Sequence, residues 1–143
     1  VIIQLRNPEA LSLQPIRDLF ARAFEDGNPV PIGVILSSLT PYLDDPRLVV
    51  LLGREHGAYK ALAIVFEMGT PLFPLPQVYY FYNEGSVGLR NSLTDAVVEW
   101  VKEQGYNGLQ VANGSGKSDE TWKRAFRRAG RLERIGSLFR IDF

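Results

Sequence analysis

Residues 79–93 read YYFYNEGSVGLRNSL, an aromatic block that passes through Gly85 and Gly88 to a positive charge at Arg90. Glycines here permit backbone conformations and close approaches that a Cβ would prevent. Where such a segment leaves an apolar strand and enters a helix, the first helical N–H groups lack partners. With the helix dipole and Arg90 they can receive a phosphate or pyrophosphate. On these residues alone a plain structural turn is the simpler reading, and the phosphate cradle is the chemical alternative. A second glycine-rich stretch, GSGKS at 114–118, lacks the GxxxxGK[ST] spacing of a nucleotide loop and reads as a strand-to-helix connection.

Acid–base chemistry has few other carriers. Glu67 falls on a central hairpin strand and Glu84 in the glycine loop; either carboxylate could take a proton, and each also reads as a solvated side chain. Tyr80 and Tyr82 share one face of a strand by alternation, with Tyr79 and Phe81 on the other. His56 is the only histidine, and its flanks, Glu55 and Gly57, place it in a turn. With no cysteine and one histidine, disulfides, thiol nucleophiles and multi-histidine metal sites are excluded, and no carboxylate motif suggests magnesium or calcium.

The elements that must position these groups can be read along the chain. A first strand at 1–5 ends at Asn7-Pro8, and Ser12 is expected to cap a helix from about Leu13, with Ile16, Leu19, Phe20, Ala23 and Phe24 as its apolar stripe. A short helix at 32–39 follows. Residues 47–54 and 59–68 read as a hairpin turning at Glu55-His56-Gly57. The proline-rich GTPLFPLP at 69–76 breaks the sheet pattern, and its leucines and phenylalanine need cover from protein, ligand or partner. Residues 77–82 form the next strand. From Asn91 the positions Leu93, Ala96, Val97, Trp100 and Val101 recur at helical spacing until Gly105, and a strand at 109–112 completes a parallel strand–helix–strand unit. Trp122, Ala125, Phe126 and Ala129 line a last helix, and 131–143 fit a terminal hairpin. The expectation is one α/β domain over 1–143, with a mixed sheet of about six strands and three or four helices.

Region 77–143 resembles the GCN5-related N-acetyltransferase (GNAT) family, which binds acyl-coenzyme A where its fourth strand meets its third helix. The family pattern there is Gln or Arg, two residues, Gly, one residue, then Gly or Ala. Laying NSLTDAVVEWVKEQGY on the third helix puts Gly88 on the first pattern glycine, Leu89 between, Arg90 on the second small residue and Gly85 on the leading Gln or Arg. The strand LQVAN ends at Asn113, matching an Asn that helps position the cofactor arm. The helix closing with AFRRAG puts Phe126 where members carry a Tyr that protonates the leaving thiolate. Phe cannot donate that proton.

The resemblance therefore implies a GNAT-like acyl-coenzyme A N-acyltransferase without metal. Acetyl-coenzyme A or another acyl-coenzyme A would be held by Phe81, Tyr82, Gly85, Ser86, Val87, Gly88, Leu89, Arg90, Asn113 and Phe126. Backbone N–H groups near Phe81 and Tyr82 would polarise the carbonyl, Glu67 would serve as base, and the Tyr82 phenol would stand in for the missing acid. The acceptor would be an amine on a small molecule or peptide. The alternative is an inactive GNAT-fold structural or interaction protein with assembly partners or copies of itself, because similarly eroded relatives occur among tailed-bacteriophage gene products, virion components included.

Formal charge is zero at pH 7, although residues 123–134 carry six Lys or Arg against one Glu. A solvated helix face is the ordinary explanation of that run, so nucleic acid is not the expected partner. No segment reads as a secretion signal or membrane span, and the expected location is cytoplasmic, in the host cytoplasm or virion if phage-encoded.

Overall fold

The computed structural model describes residues 1–24, 30–67, 75–111 and 119–130. Among them five strands form one sheet in chain order: β1 (Ile2–Gln4), β2 (Leu48–Glu55), β3 (Ala58–Phe66), β4 (Gln77–Asn83) and β5 (Gln110–Val111). The first three pairings are antiparallel, and β4 pairs with β5 in parallel, as a crossover helix between them requires. The helices are α1 (Gln14–Phe24), α2 (Ile32–Leu39), α3 (Val87–Glu103) and α4 (Asp119–Phe126). This is the expected mixed α/β architecture within one strand; the terminal hairpin read at 131–143 lies outside the described residues.

The sheet is buried on both faces, which is why LVVLL in β2 is an uninterrupted apolar run. Val49 and Leu51 enter a core with Leu93, Val97 and Trp100 of α3 and Trp122 and Phe126 of α4. Leu48, Val50 and Leu52 enter the other core with Ile16, Leu19, Phe20 and Ala23 of α1 and Leu36 of α2. Each fully buried Leu or Phe contributes roughly 1.5–3 kcal/mol of transfer free energy, so these two cores fix α1 and α3 on opposite faces.

The hairpin between β2 and β3 turns on two residues, His56 and Gly57, both at positive φ (52° and 77°). Such a turn matches the twist of its strands, and it carries His56 into solvent as its flanks indicated. Two local expectations need correction. Ser12 does not cap α1: it ends a 3-10 helix at Pro8–Ser12 and donates its hydroxyl to the Glu9 carbonyl at 2.6 Å, while Asn7 caps that turn with Pro8 at the first position. Strict alternation also fails in β4. Ile64 pairs with Tyr80 and Val65 with Val78, so Tyr79 is an extra, bulged residue, and Val78 and Phe81 reach the same core three positions apart.

Candidate functional site

Helix α3 begins at Val87, four residues before the apolar periodicity announces it, and Ser86 is its cap: Ser86 Oγ accepts the Leu89 N–H at 3.1 Å. Only Glu84, Gly85 and Ser86 separate β4 from α3. Gly88 and Arg90 therefore lie within the helix rather than in the loop. Leu89 is buried and points at the sheet, where Gly53 leaves room for it: a Cβ on Gly53 would lie 3.1 Å from Leu89 Cδ1 and 2.8 Å from Ala61 Cβ.

The loop satisfies most of its own backbone. Glu84 N–H donates to the Lys60 carbonyl at 2.9 Å. Asn83 Oδ1 accepts the Gly85 N–H at 3.0 Å, and its Nδ2 donates to the Ser86 carbonyl at 3.2 Å. Ser86 N–H donates to Glu55 Oε1 at 3.1 Å and Ser86 Oγ–H donates to Glu55 Oε2, so a carboxylate from the end of β2 sits at the positive end of α3. These bonds, the Ser86 hydroxyl first, hold the Glu55 carboxyl below its usual range. Gly85 has a steric reason to lack a side chain, since a Cβ there would stand 2.7 Å from Leu89 Cδ2 and 3.2 Å from both Glu55 Oε1 and Lys60 Cβ.

What remains for an external anion is specific. The N–H groups of Val87 and Gly88 have no acceptor among the described residues. Gly88 is exposed, and a Cβ on it would meet nothing closer than Ser86 Oγ at 3.6 Å. Arg90 is partly buried: its Nη2 donates to Asn91 Oδ1 at 3.5 Å, while its Nε is buried without a hydrogen-bond partner. Two unpaired N–H groups beside an open glycine fit a phosphate at the first turn of α3.

The other sequence candidates are dispersed. Glu67 follows β3 and accepts the Tyr106 phenol at 3.1 Å, which raises the Tyr106 pKa above its usual value. Glu55 and Glu67 stand at opposite ends of β3, on the order of 30 Å apart at about 3.3 Å per residue, so a ligand touching both ends must lie extended along the sheet. Tyr82 faces the α1 core and donates its phenol to Glu84 Oε2 at 2.6 Å. Burial first, and that hydrogen bond second, push its pKa up to about 12. Burial opposes ionisation of Glu84, yet bonds from Tyr82 and from Arg22, whose Nε lies 2.9 Å from Glu84 Oε1, outweigh it and lower its pKa. Phe81 and Phe126 are buried against one another with ring centroids 5.7 Å apart, and Trp122 joins them. Asn113 lies outside the described residues, as do most of GTPLFPLP and the GSGKS loop.

Sequence reading singled out neither Glu55 nor Tyr106 as a site residue, nor Arg22. No spacing signal marks them, because their contacts join residues 31, 39 and 62 positions apart. The Ser86 cap was findable, since serine is a preferred residue immediately before a helix.

Among the described residues there is no cluster of His, Cys, Asp or Glu able to hold a metal and no helix long and apolar enough to cross a membrane. No protein-family model and no curated protein sequence matches the chain. Solved structures do. An aminoglycoside antibiotic 6′-N-acetyltransferase from Acinetobacter baumannii is 13% identical with a TM-score of 0.70, covering 100% of this chain and 98% of its own. A predicted acetyltransferase from Clostridium acetobutylicum, solved with acetyl-CoA, is 13% identical with a TM-score of 0.69, covering 99% and 95%. A GNAT family acetyltransferase from Staphylococcus aureus is 12% identical with a TM-score of 0.67, covering 99% and 97%. The chain has the GNAT fold.

Proposed function

We propose that this GNAT-fold chain is an N-acyltransferase that takes an acyl group from acyl-coenzyme A and passes it to an amine on a small molecule or peptide. The observation that carries the proposal is the first turn of α3, where the unpaired Val87 and Gly88 N–H groups at the open Gly88 offer an anion site. The acetyl-CoA-bound neighbour from Clostridium acetobutylicum supports the choice of cofactor, and the aminoglycoside acetyltransferase supports an amine acceptor.

When bound, acyl-coenzyme A supplies an acyl group activated as a thioester, and its transfer exchanges a C–S bond for a C–N bond and frees the amine proton. Val87, Gly88 and Arg90 would hold the phosphates. Ser86 keeps the turn in shape by capping α3, and Gly85 lets Leu89 anchor it. Glu67, with Tyr106 fixing one of its oxygens, would accept the amine proton through intervening waters, since the extended arm between the cofactor's phosphates and its sulfur covers only part of the roughly 30 Å from the first turn of α3. The Tyr82 phenol is engaged with Glu84 and, with its pKa pushed up to about 12, is a weaker acid than an ordinary tyrosine. A thiolate whose thiol has a pKa of about 8.5 can leave unprotonated and take its proton from bulk solvent afterwards.

A second reading, a non-catalytic interaction protein on the same fold, is favoured by the burial of Phe126, which leaves no phenol at the family's acid position. A virion component would be one instance. Isothermal titration of the full chain with acetyl-coenzyme A separates the two readings. Saturable binding that weakens in Gly88→Trp and Arg90→Ala is expected of the enzyme, and absence of heat from folded protein at millimolar cofactor would sink it.

A further inference from the structure

We infer that Glu55 is a specificity-determining residue for the cofactor's phosphates, an internal carboxylate seated where they must approach and limiting how tightly they are held. The inference rests on the acyl-coenzyme A reading above and goes beyond it, because Glu55 comes from the β2–β3 hairpin and lies outside the glycine segment.

Its seat is built by several elements at once. The two-residue turn at His56-Gly57 pairs Glu55 with Ala58 and fixes the end of the hairpin beside α3. Glu55 takes both polar hydrogens of Ser86, the N–H at 3.1 Å and the hydroxyl. That hydroxyl in turn accepts the Leu89 N–H, so the carboxylate, the cap and the first helical turn form one chain of hydrogen bonds. Gly85 keeps the seat open, since any Cβ there would lie 3.2 Å from Glu55 Oε1.

The consequence for an anion is electrostatic. The carboxylate occupies the Ser86 N–H, a donor adjoining the free ones at Val87 and Gly88, and places a like charge beside any phosphate on them. A neutral amide of the same shape keeps an oxygen for Ser86 and removes the repulsion. For two charges a few ångströms apart near a partly exposed surface, the expected gain in affinity is about tenfold. A phosphate-free portion of the cofactor should not sense the change.

The test is isothermal titration of coenzyme A into the full chain as wild type, Glu55→Gln and Glu55→Ala, with pantetheine as the neutral probe and a thermal melt to establish folding. The expected result is a roughly tenfold lower Kd for coenzyme A in Glu55→Gln, with pantetheine unchanged. Glu55→Ala gives the same direction should the Gln side chain misfold the hairpin. Equal coenzyme A affinity in wild type and variants overturns the role of Glu55 and leaves the acyl-coenzyme A reading standing. An equal gain for pantetheine also overturns it, by showing a loosened loop rather than a removed charge. No coenzyme A binding to any of the three folded proteins overturns both.

Discussion

The Tyr106 phenol donates to Glu67 Oε1 at 3.1 Å, joining the loop that follows α3 to the residue that follows β3. Glu67 is therefore a carboxylate held in place. The bond also makes Tyr106 harder to ionise, because it favours the neutral phenol and the nearby negative charge opposes the phenolate.

Titration should expose that coupling. The folded-state pKa of Tyr106 is raised, so its contribution to stability is complete below the unfolded value near 10 and is lost as pH rises through the folded one. In an ultraviolet titration, Glu67→Gln should return one phenol of the six toward ordinary ionisation, identified by its disappearance in Tyr106→Phe. If Glu67 is the base, Tyr106→Phe should also slow acyl transfer, since the carboxylate loses the donor that holds one of its oxygens in place. An unchanged rate would leave the contact as packing alone.

Restoring a tyrosine at the last helix should not restore an acid. Phe126 packs against Phe81 and Trp122, with centroids 5.7 Å and 6.3 Å away, and is almost wholly buried. A hydroxyl added to a filled apolar site costs about 1–3 kcal/mol through overpacking and an unmet hydrogen bond. Phe126→Tyr should therefore melt lower without a gain in acyl-transfer rate, and a faster variant of unchanged stability would show that the ring reaches the reacting atoms.

The sequence discloses contacts that are local or periodic. The α2 boundaries, the His56-Gly57 turn, the burial of Trp100 and Trp122 and the parallel β4–α3–β5 unit follow from spacing and turn chemistry. The start of α3 is concealed because Val87 and Gly88 look like loop, and only the Ser86 cap reveals that they are helical. The Tyr79 bulge is hidden since alternation describes a regular ladder and cannot show where one residue is extra. Glu55 on Ser86 and Tyr106 on Glu67 are tertiary contacts with no local signature, and they change the site most.

Acid should loosen the top of α3. The Glu55 carboxyl is held below its usual value by Ser86, so the stability it contributes is present above the unfolded pKa near 4.5 and is lost as pH falls through the lower folded value. Wild type should lose more melting temperature than Glu55→Gln between neutral pH and the range below about 4.5, where the two curves converge. Parallel curves across that range would mean that the Glu55–Ser86 contact does not persist in solution.

The two glycines of the opening segment should respond oppositely to alanine, and the contrast separates packing from binding. A Cβ on Gly85 would lie 2.7 Å from buried Leu89 Cδ2, with Glu55 and Lys60 at 3.2 Å, so Gly85→Ala must shift packed groups and should destabilise by about 1–3 kcal/mol. Gly88 sits in the first turn of α3 with no neighbour closer than 3.6 Å, so Gly88→Ala relieves the entropic cost of a helical glycine and should stabilise by about 0.5–1 kcal/mol. The same methyl would stand on the exposed turn beside the unpaired N–H groups. Gly88→Ala should therefore raise the melting temperature while weakening coenzyme A binding several-fold, the combination expected where a glycine is kept for a ligand's approach. A variant that melts higher and binds coenzyme A as tightly as wild type would assign Gly88 no part in the cofactor site.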